Sequence, residues 1–315
     1  MKTVFRLLLL IILVLALVAG FIFLRPSTIL SRQEVKAKYT LPASHFLTWR
    51  GGDVHYVDEG QGFPILMIHG LAGSHRNFGK IAAMLQDSFR CIRVDLPGFG
   101  LSDMPQVADG NYRQLYFDFL NFFLDTLNLD SFYLMGNSMG GWIAWELAVE
   151  KPQQVKKLVL LCSAGYDMEK IAERLGARMT SSSWLTEIVA ARGVPLFITR
   201  ANVVRCFADP TRIDAQEVII ANDFANRENN FRTILELLRH RQNADTSLIK
   251  NIRCPTLIVW GKQDRIIPVD HAYRFQRDIP RNKLIIYDDC GHIPMLEKTE
   301  QFYQDFLAFA ADTSL

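Results

Sequence analysis

A serine lies at the centre of the five residues Gly136-Asn137-Ser138-Met139-Gly140. The apolar run Phe132–Met135 before it predicts a buried strand, and apolar residues at helical spacing after it predict a helix. A serine in a strand-to-helix turn, with glycine two residues away on either side, has the pattern of a nucleophile elbow. Glycine is needed because a side chain at either position would collide with the strand or the helix. The pattern predicts that the Ser138 hydroxyl is presented as a nucleophile.

Two loops downstream carry side chains that can activate this serine. The loop after the apolar run Pro255–Trp260 contains Asp264, and the loop after the run Lys283–Tyr287 contains His292. A serine hydroxyl is a poor nucleophile at neutral pH unless a base accepts its proton, and the unperturbed pKa of histidine suits that transfer. An aspartate can hold the imidazole in one tautomer. We therefore expect Ser138, His292 and Asp264 to act as nucleophile, base and orienting acid.

Other acidic residues compete with Asp264 for the orienting role. Asp288 and Asp289 are near His292 along the chain, too near to reach the far side of its ring easily. Asp167 follows another predicted strand, Lys156–Ser163, and is an alternative acid.

A further predicted strand, Ile65–Ile68, leads into the glycine-bearing loop His69-Gly70-Leu71-Ala72-Gly73. The tetrahedral intermediate of an acyl transfer carries a negative oxygen, which two converging backbone N–H groups can stabilise. We expect Leu71 and Met139 to supply these groups. His69 precedes the serine in the chain, and we interpret it as a residue that shapes the loop.

Five blocks of the chain resemble the α/β-hydrolase superfamily. They lie in the family's order between about residue 53 and the C-terminus: HGLAG (69–73), DLPGFGLSD (95–103), GNSMGG (136–141), GKQDRIIP (261–268) and GHIPMLE (291–297). The resemblance implies an α/β fold with an eight-stranded, mostly parallel sheet and helices on both faces. It also implies that residues 95–100 form a structural loop beside the pocket.

The five blocks also reduce the number of reaction classes that fit this sequence. Relatives that dehalogenate or open epoxides carry aspartate at the elbow, so Ser138 argues against both activities. Serine-dependent C–C bond hydrolases often share the GNSMGG elbow, but their oxyanion loop usually reads S-G-P-G, whereas this chain has Leu71-Ala72-Gly73-Ser74. The closer resemblance is to lipases, esterases and monoacylglycerol lipases with a membrane-anchoring N-terminus.

The composition indicates one large globular domain with an insertion. The chain has 315 residues, of which 49% are hydrophobic and 22% are charged. The net charge of +2 gives no electrostatic reason to expect nucleic acid as a partner. The seven histidines are scattered without an H-E-x-x-H pattern, so we expect no metal, and the serine chemistry needs no cofactor. Five cysteines without regular spacing predict free thiols.

The N-terminus contains 18 residues without a charge, Leu7–Leu24. As a helix this stretch would be roughly 27 Å long, close to the thickness of a bilayer's hydrocarbon core. We expect residues 1–24 to form a single-pass anchor, which makes the membrane a partner. A cleaved signal sequence, with release to the periplasm or the outside, is the alternative. Basic residues flank both ends of the stretch and leave its orientation open.

Residues 25–43 are polar and basic and predict a linker, so the hydrolase domain covers residues 44–315. Within it, the stretch at about 165–250 is too long for a simple crossover and has apolar residues at helical spacing. We expect it to form a helical cap over the elbow. Most of its apolar side chains should pack on the sheet. Four are candidates to line an acyl pocket or rest on lipid: Trp184, Leu185, Leu196 and Phe197.

These features predict a serine hydrolase that cleaves carboxylic esters through an acyl-enzyme. An enzyme held at a bilayer meets lipid-like substrates, such as monoacylglycerols and other medium- or long-chain acyl esters. An acyltransferase, in which an alcohol rather than water resolves the acyl-enzyme, is an alternative, as is a C–C bond hydrolase. The non-enzyme alternative is a membrane-tethered binding protein on a hydrolase fold, although such proteins usually lack one member of the triad.

Overall fold

Eight strands form one sheet in the computed structural model, which describes residues 27–107, 110–167, 184–240 and 244–315 together with Arg6 and Gly20. The strands are β1 Ser44–Trp49, β2 Gly52–Glu59, β3 Phe63–Ile68, β4 Phe89–Val94, β5 Phe132–Asn137, β6 Val155–Leu161, β7 Thr256–Gly261 and β8 Asn282–Tyr287. Their order is β1-β2-β4-β3-β5-β6-β7-β8. Strand β2 is antiparallel to both neighbours, and all other neighbouring strands are parallel. The predicted eight-stranded, mostly parallel sheet is confirmed.

Helices surround this sheet. Seven of them are α1 Arg32–Tyr39, α2 Gly79–Leu85, α3 Tyr112–Thr126, α4 Met139–Glu150, α9 Asp270–Asp278, α10 Pro294–Glu297 and α11 Thr299–Ala311. Four more lie between β6 and β7: α5 Trp184–Arg192, α6 Leu196–Cys206, α7 Ala215–Ala225 and α8 Asn230–Arg239. Short 3₁₀ helices cover His75–Phe78, Pro210–Arg212 and Thr246–Asn251. The insertion is thus helical in its described part, as predicted.

Helices cover both faces of the sheet, and neighbouring residues of a strand point to opposite faces. In β3, Leu66 and Ile68 belong to a core cluster that includes residues of α3 and α4. Ile65 and Met67 belong to a second cluster, which includes residues of α2 and α11. The sheet therefore holds the loops at the carboxyl ends of its strands on a rigid base.

Helix α1 lies within the segment 25–43 that the sequence predicts as a linker. The Ser31 hydroxyl accepts a hydrogen bond from the Glu34 N–H, and the Glu34 carboxylate accepts one from the Ser31 N–H. This reciprocal pair is a capping box, which starts the helix. Val35 is fully buried in a cluster with Leu101 and residues of α7. Part of the expected linker is therefore a helix packed on the domain.

The predicted membrane span Leu7–Leu24 lies outside the described residues apart from Gly20. None of the helices in the described ranges combines the length and the apolar character needed to cross a membrane. Where the described chain resumes, the Thr28 N–H donates to the Arg192 carbonyl (2.9 Å) and the Leu30 N–H to the Asn226 carbonyl (2.9 Å). The segment that follows the apolar stretch is thus attached to the helical insertion.

Candidate active site

Ser138 occupies the tight turn between β5 and α4. Its φ of 55° and ψ of −120° form a combination that side-chain-bearing residues rarely adopt. The turn is held because the Ser138 N–H donates to the Leu161 carbonyl (3.1 Å), while the Ser138 carbonyl accepts the N–H groups of Gly141 (3.0 Å) and Ala164 (2.9 Å). The surrounding backbone therefore imposes the strained conformation of the predicted elbow.

The two flanking glycines have no room for a side chain. A Cβ on Gly136 would lie 2.3 Å from the Gly140 carbonyl oxygen, and a Cβ on Gly140 would lie 2.1 Å from the Ile68 carbonyl oxygen. Both distances are far below van der Waals contact. The close approach of β5, β3 and α4 thus explains the G-x-S-x-G spacing.

His292 and Asp264 form a buried pair in the loops after β8 and β7. The Nδ1 atom of His292 lies 2.7 Å from Oδ2 of Asp264. The other carboxylate oxygen accepts the N–H groups of Ile266 (2.7 Å) and Ile267 (3.0 Å), which fixes its orientation. A carboxylate at Nδ1 favours the tautomer with the proton on that nitrogen, and Nε2 is then the basic one. This arrangement suits a general base.

The competing acids have other partners. Asp167 forms an ion pair with Arg274 (2.6 Å), and Asp288 forms one with Lys262 (2.7 Å). Asp289 pairs with Lys298. The carboxylate that contacts the imidazole of His292 is that of Asp264.

Asn137 connects the elbow to the histidine loop. Its buried side-chain amide donates hydrogen bonds to the carbonyl oxygens of Leu161 (3.0 Å) and His292 (3.1 Å). Asn137 was not among the predicted site residues, because its partners are distant in the chain and only its position beside Ser138 indicated a role. The bond to His292 fixes the position of the histidine backbone relative to the nucleophile.

Replacing Asn137 by aspartate is expected to lower kcat/KM by about 10- to 100-fold, because small displacements between catalytic groups have effects of that size. The substitution keeps the shape but sets a carboxylate against two carbonyl oxygens. Steady-state hydrolysis measures the effect, with Asn128→Asp at an exposed turn as the control. An Asn137→Asp variant with unchanged kcat/KM would show that this bond does not position His292.

The loop after β3 lies against the serine. A Cβ on Gly70 would be 2.9 Å from the Cβ of Ser138, so Leu71 follows directly after the point of contact. Met139 is the first residue of α4, and its N–H therefore has no partner within the helix. The positive end of the helix dipole also lies here. The structure thus places both predicted oxyanion residues, Leu71 and Met139, in segments that adjoin Ser138.

A family model described as the alpha/beta hydrolase fold matches residues 64–299, about three-quarters of the chain. The chain belongs to the α/β-hydrolase family. This α/β-hydrolase is 32% identical over 265 residues to the 2-hydroxymuconate semialdehyde hydrolase of Pseudomonas sp. (strain CF600), which covers 80% of this chain and 89% of that protein. It is 30% identical over 270 residues to Lipase 1 of Psychrobacter immobilis, with 84% and 82% covered.

Among solved structures, the hydrolase is similar to a membrane phospholipase A described as a novel bacterial virulence factor. The two are 25% identical, the TM-score is 0.73, and the match covers 98% of each chain. Similarity to hydrolases over most of the chain supports an enzyme.

His69 is a structural histidine of this α/β-hydrolase. It is fully buried, its Nδ1 lies 2.7 Å from the Gly70 carbonyl oxygen, and its Nε2 accepts the Leu96 N–H (3.1 Å). Burial lowers the pKa of His69 below its ordinary value. Both ring nitrogens are thus engaged in holding the loop, in agreement with the interpretation from the sequence.

A second histidine–aspartate cluster is also structural. The Asp95 carboxylate contacts Nδ1 of His55 (2.7 Å) and Nδ1 of His75 (3.0 Å), and it accepts the Leu101 N–H (2.9 Å). Burial by itself would raise the pKa of the Asp95 carboxyl, but the two histidines hold it well below its ordinary value. A Cβ on Gly100 would lie 2.2 Å from this carboxylate. Residues 95–100 are thus built around Asp95, as the family resemblance implies.

Cys162 lies beside the buried pair of this hydrolase. Its thiol and the ligating atoms of Asp264 and His292 lie within 4.8 Å of one another. Burial raises the pKa of the Cys162 thiol well above its ordinary value, and the Asp264 carboxylate adds to this. A protonated thiol is a poor nucleophile, so Cys162 does not compete with Ser138. All five cysteines are unpaired, as predicted.

Two of the four predicted pocket residues lie on the surface. Leu196 and Phe197, in the first turn of α6, are 48% and 64% exposed. Side chains with this exposure do not match an enclosed acyl pocket. Trp184 and Leu185 begin α5, but their side chains lie outside the described residues.

Proposed function

We propose that this α/β-hydrolase cleaves carboxylic esters of lipid-like substrates with Ser138 as its nucleophile. The observation that carries the proposal is the buried Asp264–His292 pair, in the loops beside a strained elbow that presents Ser138. A glycine loop lies against the serine, and the N–H of Leu71 in this loop is the proposed second oxyanion donor. This combination of groups suits acyl transfer.

In the proposed reaction, the Ser138 hydroxyl attacks the ester carbonyl and its proton passes to Nε2 of His292. The N–H groups of Leu71 and Met139 stabilise the oxyanion. His292 then protonates the leaving alcohol, and the acyl group stays on Ser138. A water molecule, deprotonated by His292, releases the acid. Asp264 remains ionised and stabilises the imidazolium.

Three observations support lipid-like substrates. The first is the uncharged stretch Leu7–Leu24, which we propose is a membrane anchor. The second is the exposed apolar turn at Leu196 and Phe197, close in the chain to Arg192, the residue that binds Thr28. Thr28 is four positions after Leu24 in the chain, a reach of at most about 14 Å. The third is the similarity to a membrane phospholipase A over 98% of both chains.

We infer from these observations that the apolar turn of α6 lies near the lipid surface. Large exposed apolar groups often mark contacts with membranes or other proteins. An acyl chain leaving a bilayer would then have a short path to the cap. We propose acylglycerols, glycerophospholipids and related medium- or long-chain esters as the substrate class.

The double variant Leu196→Ser/Phe197→Ser is expected to hydrolyse lipid esters presented in vesicles about 5- to 10-fold more slowly, because it loses apolar contact worth about 1 kcal/mol or slightly more. Hydrolysis of a water-soluble acetate ester should stay within about twofold of the wild-type rate, since neither residue belongs to the triad. Parallel assays of the full chain on both substrates measure the difference.

Phe63→Ser is the matched control for this prediction. Phe63 is 38% exposed and begins β3, at the opposite end of the strand from the oxyanion loop. A double variant that loses both activities equally, or neither, would contradict the proposed lipid contact.

Hydrolysis of p-nitrophenyl esters with acyl chains of two to sixteen carbons, in detergent, tests the proposed function. We expect activity that increases toward long chains and disappears in Ser138→Ala. A maximum at acetate would retain the esterase but contradict the lipid substrate. Glycerol added as an acceptor would reveal an acyltransferase by forming glyceride in place of free acid.

A second candidate function is C–C bond hydrolysis. It is favoured by the 32% identity to a 2-hydroxymuconate semialdehyde hydrolase and by the GNSMGG elbow. The loss of the dienol absorbance of 2-hydroxymuconate semialdehyde measures this activity directly. Turnover of that compound by a preparation that leaves every ester intact would replace the ester proposal.

A further inference from the structure

The histidine loop is bonded to the helical insertion. The backbone N–H of His292 donates to the carbonyl of Cys206, the last residue of α6, at 2.7 Å. The preceding Gly291 lies so close to this segment that a Cβ on it would be 2.4 Å from the Cys206 carbonyl oxygen and 2.8 Å from the Ala208 nitrogen. The backbone of His292 thus lies between the insertion and the elbow, whose Asn137 binds its carbonyl.

A single buried carboxylate holds the two segments together. Oε1 of Glu297 accepts the N–H groups of Ala208 and Asp209, each at 2.9 Å. Oε2 accepts the N–H of Gly291 at 2.7 Å and is also 3.1 Å from the Ala208 nitrogen. Glu297 is 6% exposed, so these bonds replace the water that the charge would otherwise need.

A further contact strengthens the junction. The guanidinium of Arg212, in the 3₁₀ helix that follows Asp209, donates to the Glu297 carbonyl (3.1 Å). The buried ring of Phe207 lies in the core cluster that also contains Cys290 and Ile293. The turn between α6 and this 3₁₀ helix is therefore attached to the histidine loop through side chain and backbone alike.

We propose that Glu297 is a positioning residue for His292. By holding the loop Cys290–His292 to the C-terminal end of α6, it makes the placement of the base depend on the insertion. Helix α6 begins at the exposed apolar turn of Leu196 and ends at this junction, so it connects the surface of the insertion with the active site. The inference rests on the proposed roles of Ser138 and His292.

Glu297→Gln is the direct test. An amide has one acceptor oxygen, and its NH₂ group would face a backbone N–H, so one of the two segments loses its bond. We expect kcat to fall about 10- to 100-fold through misplacement of His292. The KM should change less than about twofold, because Glu297 is not expected to touch the substrate. The rate of Ser138 labelling by a fluorophosphonate should fall by the same factor as kcat.

Glu300→Gln, an exposed neighbour in α11, is the matched control and should leave every value unchanged. A folded Glu297→Gln protein that is labelled and turns over at the wild-type rate would overturn the positioning role. A fall in kcat that matches a loss of folded protein, as measured by thermal unfolding, would also overturn the positioning role. Labelling does not depend on the ester chosen, so a labelled wild type without ester turnover would count against the substrate alone.

Glu297→Asp keeps the proposal testable if the glutamine variant does not fold. It retains the buried charge but is one methylene shorter, and it cannot reach both segments at once. We expect a folded protein whose kcat and labelling rate fall at least about fivefold with KM nearly unchanged. Wild-type values for this variant would overturn the proposal. Wild-type protein that is never labelled at Ser138 would overturn the proposed function together with it.

Discussion

Replacing Ser138 by alanine is expected to lower kcat/KM for ester hydrolysis by about 10⁴-fold or more, as for the loss of the nucleophile in other serine hydrolases. Alanine cannot form the acyl-enzyme, and only the oxyanion donors and substrate binding remain to accelerate the reaction. The backbone at this position is strained for serine and alanine alike, so thermal unfolding should be unchanged. Steady-state kinetics on the best p-nitrophenyl ester measure the loss. Activity above about 1% of wild type would show that another residue supplies the nucleophile.

Asp264→Asn is expected to lower kcat/KM by about 10⁴-fold, the size of effect that the same change has in a serine protease triad. The asparagine oxygen can keep the bonds to the N–H groups of Ile266 and Ile267. Its NH₂ group would then face Nδ1 of His292, which favours the proton on Nε2. The base would be in place but in the wrong tautomer.

Asp167→Asn is the control for this variant, because Asp167 is the alternative acid that the sequence left open. Its carboxylate is paired with Arg274, and we expect its loss to change kcat/KM less than about threefold, the usual small effect of an exposed ion pair. A larger fall for Asp167→Asn than for Asp264→Asn would reverse the assignment. Thermal unfolding of both variants separates loss of activity from loss of fold.

The sheet was predictable because its signals are local. Each strand that carries the site appears as a short apolar run that ends in a glycine, aspartate or histidine loop. Parallel strands bring such loops to one edge, which is why Asp264 and His292 could be named and do form a hydrogen-bonded pair. The family resemblance added the order of the elements and the number of strands.

Contacts between distant segments were not predictable in the same way. Glu297 and Ala208 are 89 positions apart, and no local pattern assigns a buried carboxylate to the backbone of an insertion. The exposure of the Phe197 side chain was not predicted, for a related reason. Helical spacing marks a residue as apolar, whereas the packing of its neighbours decides whether it is covered.

Helix α1 is a different case, because its signal was present in the sequence. Ser31 and Glu34 have the S-x-x-E spacing of a capping box, and Val35 supplies an apolar residue to bury. The linker prediction rested only on the polar and basic composition of residues 25–43. In this segment the capping signal, and not the average composition, agrees with the structure.

Fluorophosphonate labelling of the full chain in detergent, followed by peptide mass spectrometry, tests the proposed chemistry most directly. We predict a single phosphonylated residue, Ser138, with no adduct in Ser138→Ala and labelling slowed at least about 100-fold in His292→Ala. An adduct on another serine, a rate that does not depend on His292, or no adduct on folded protein would contradict a Ser138–His292–Asp264 hydrolase.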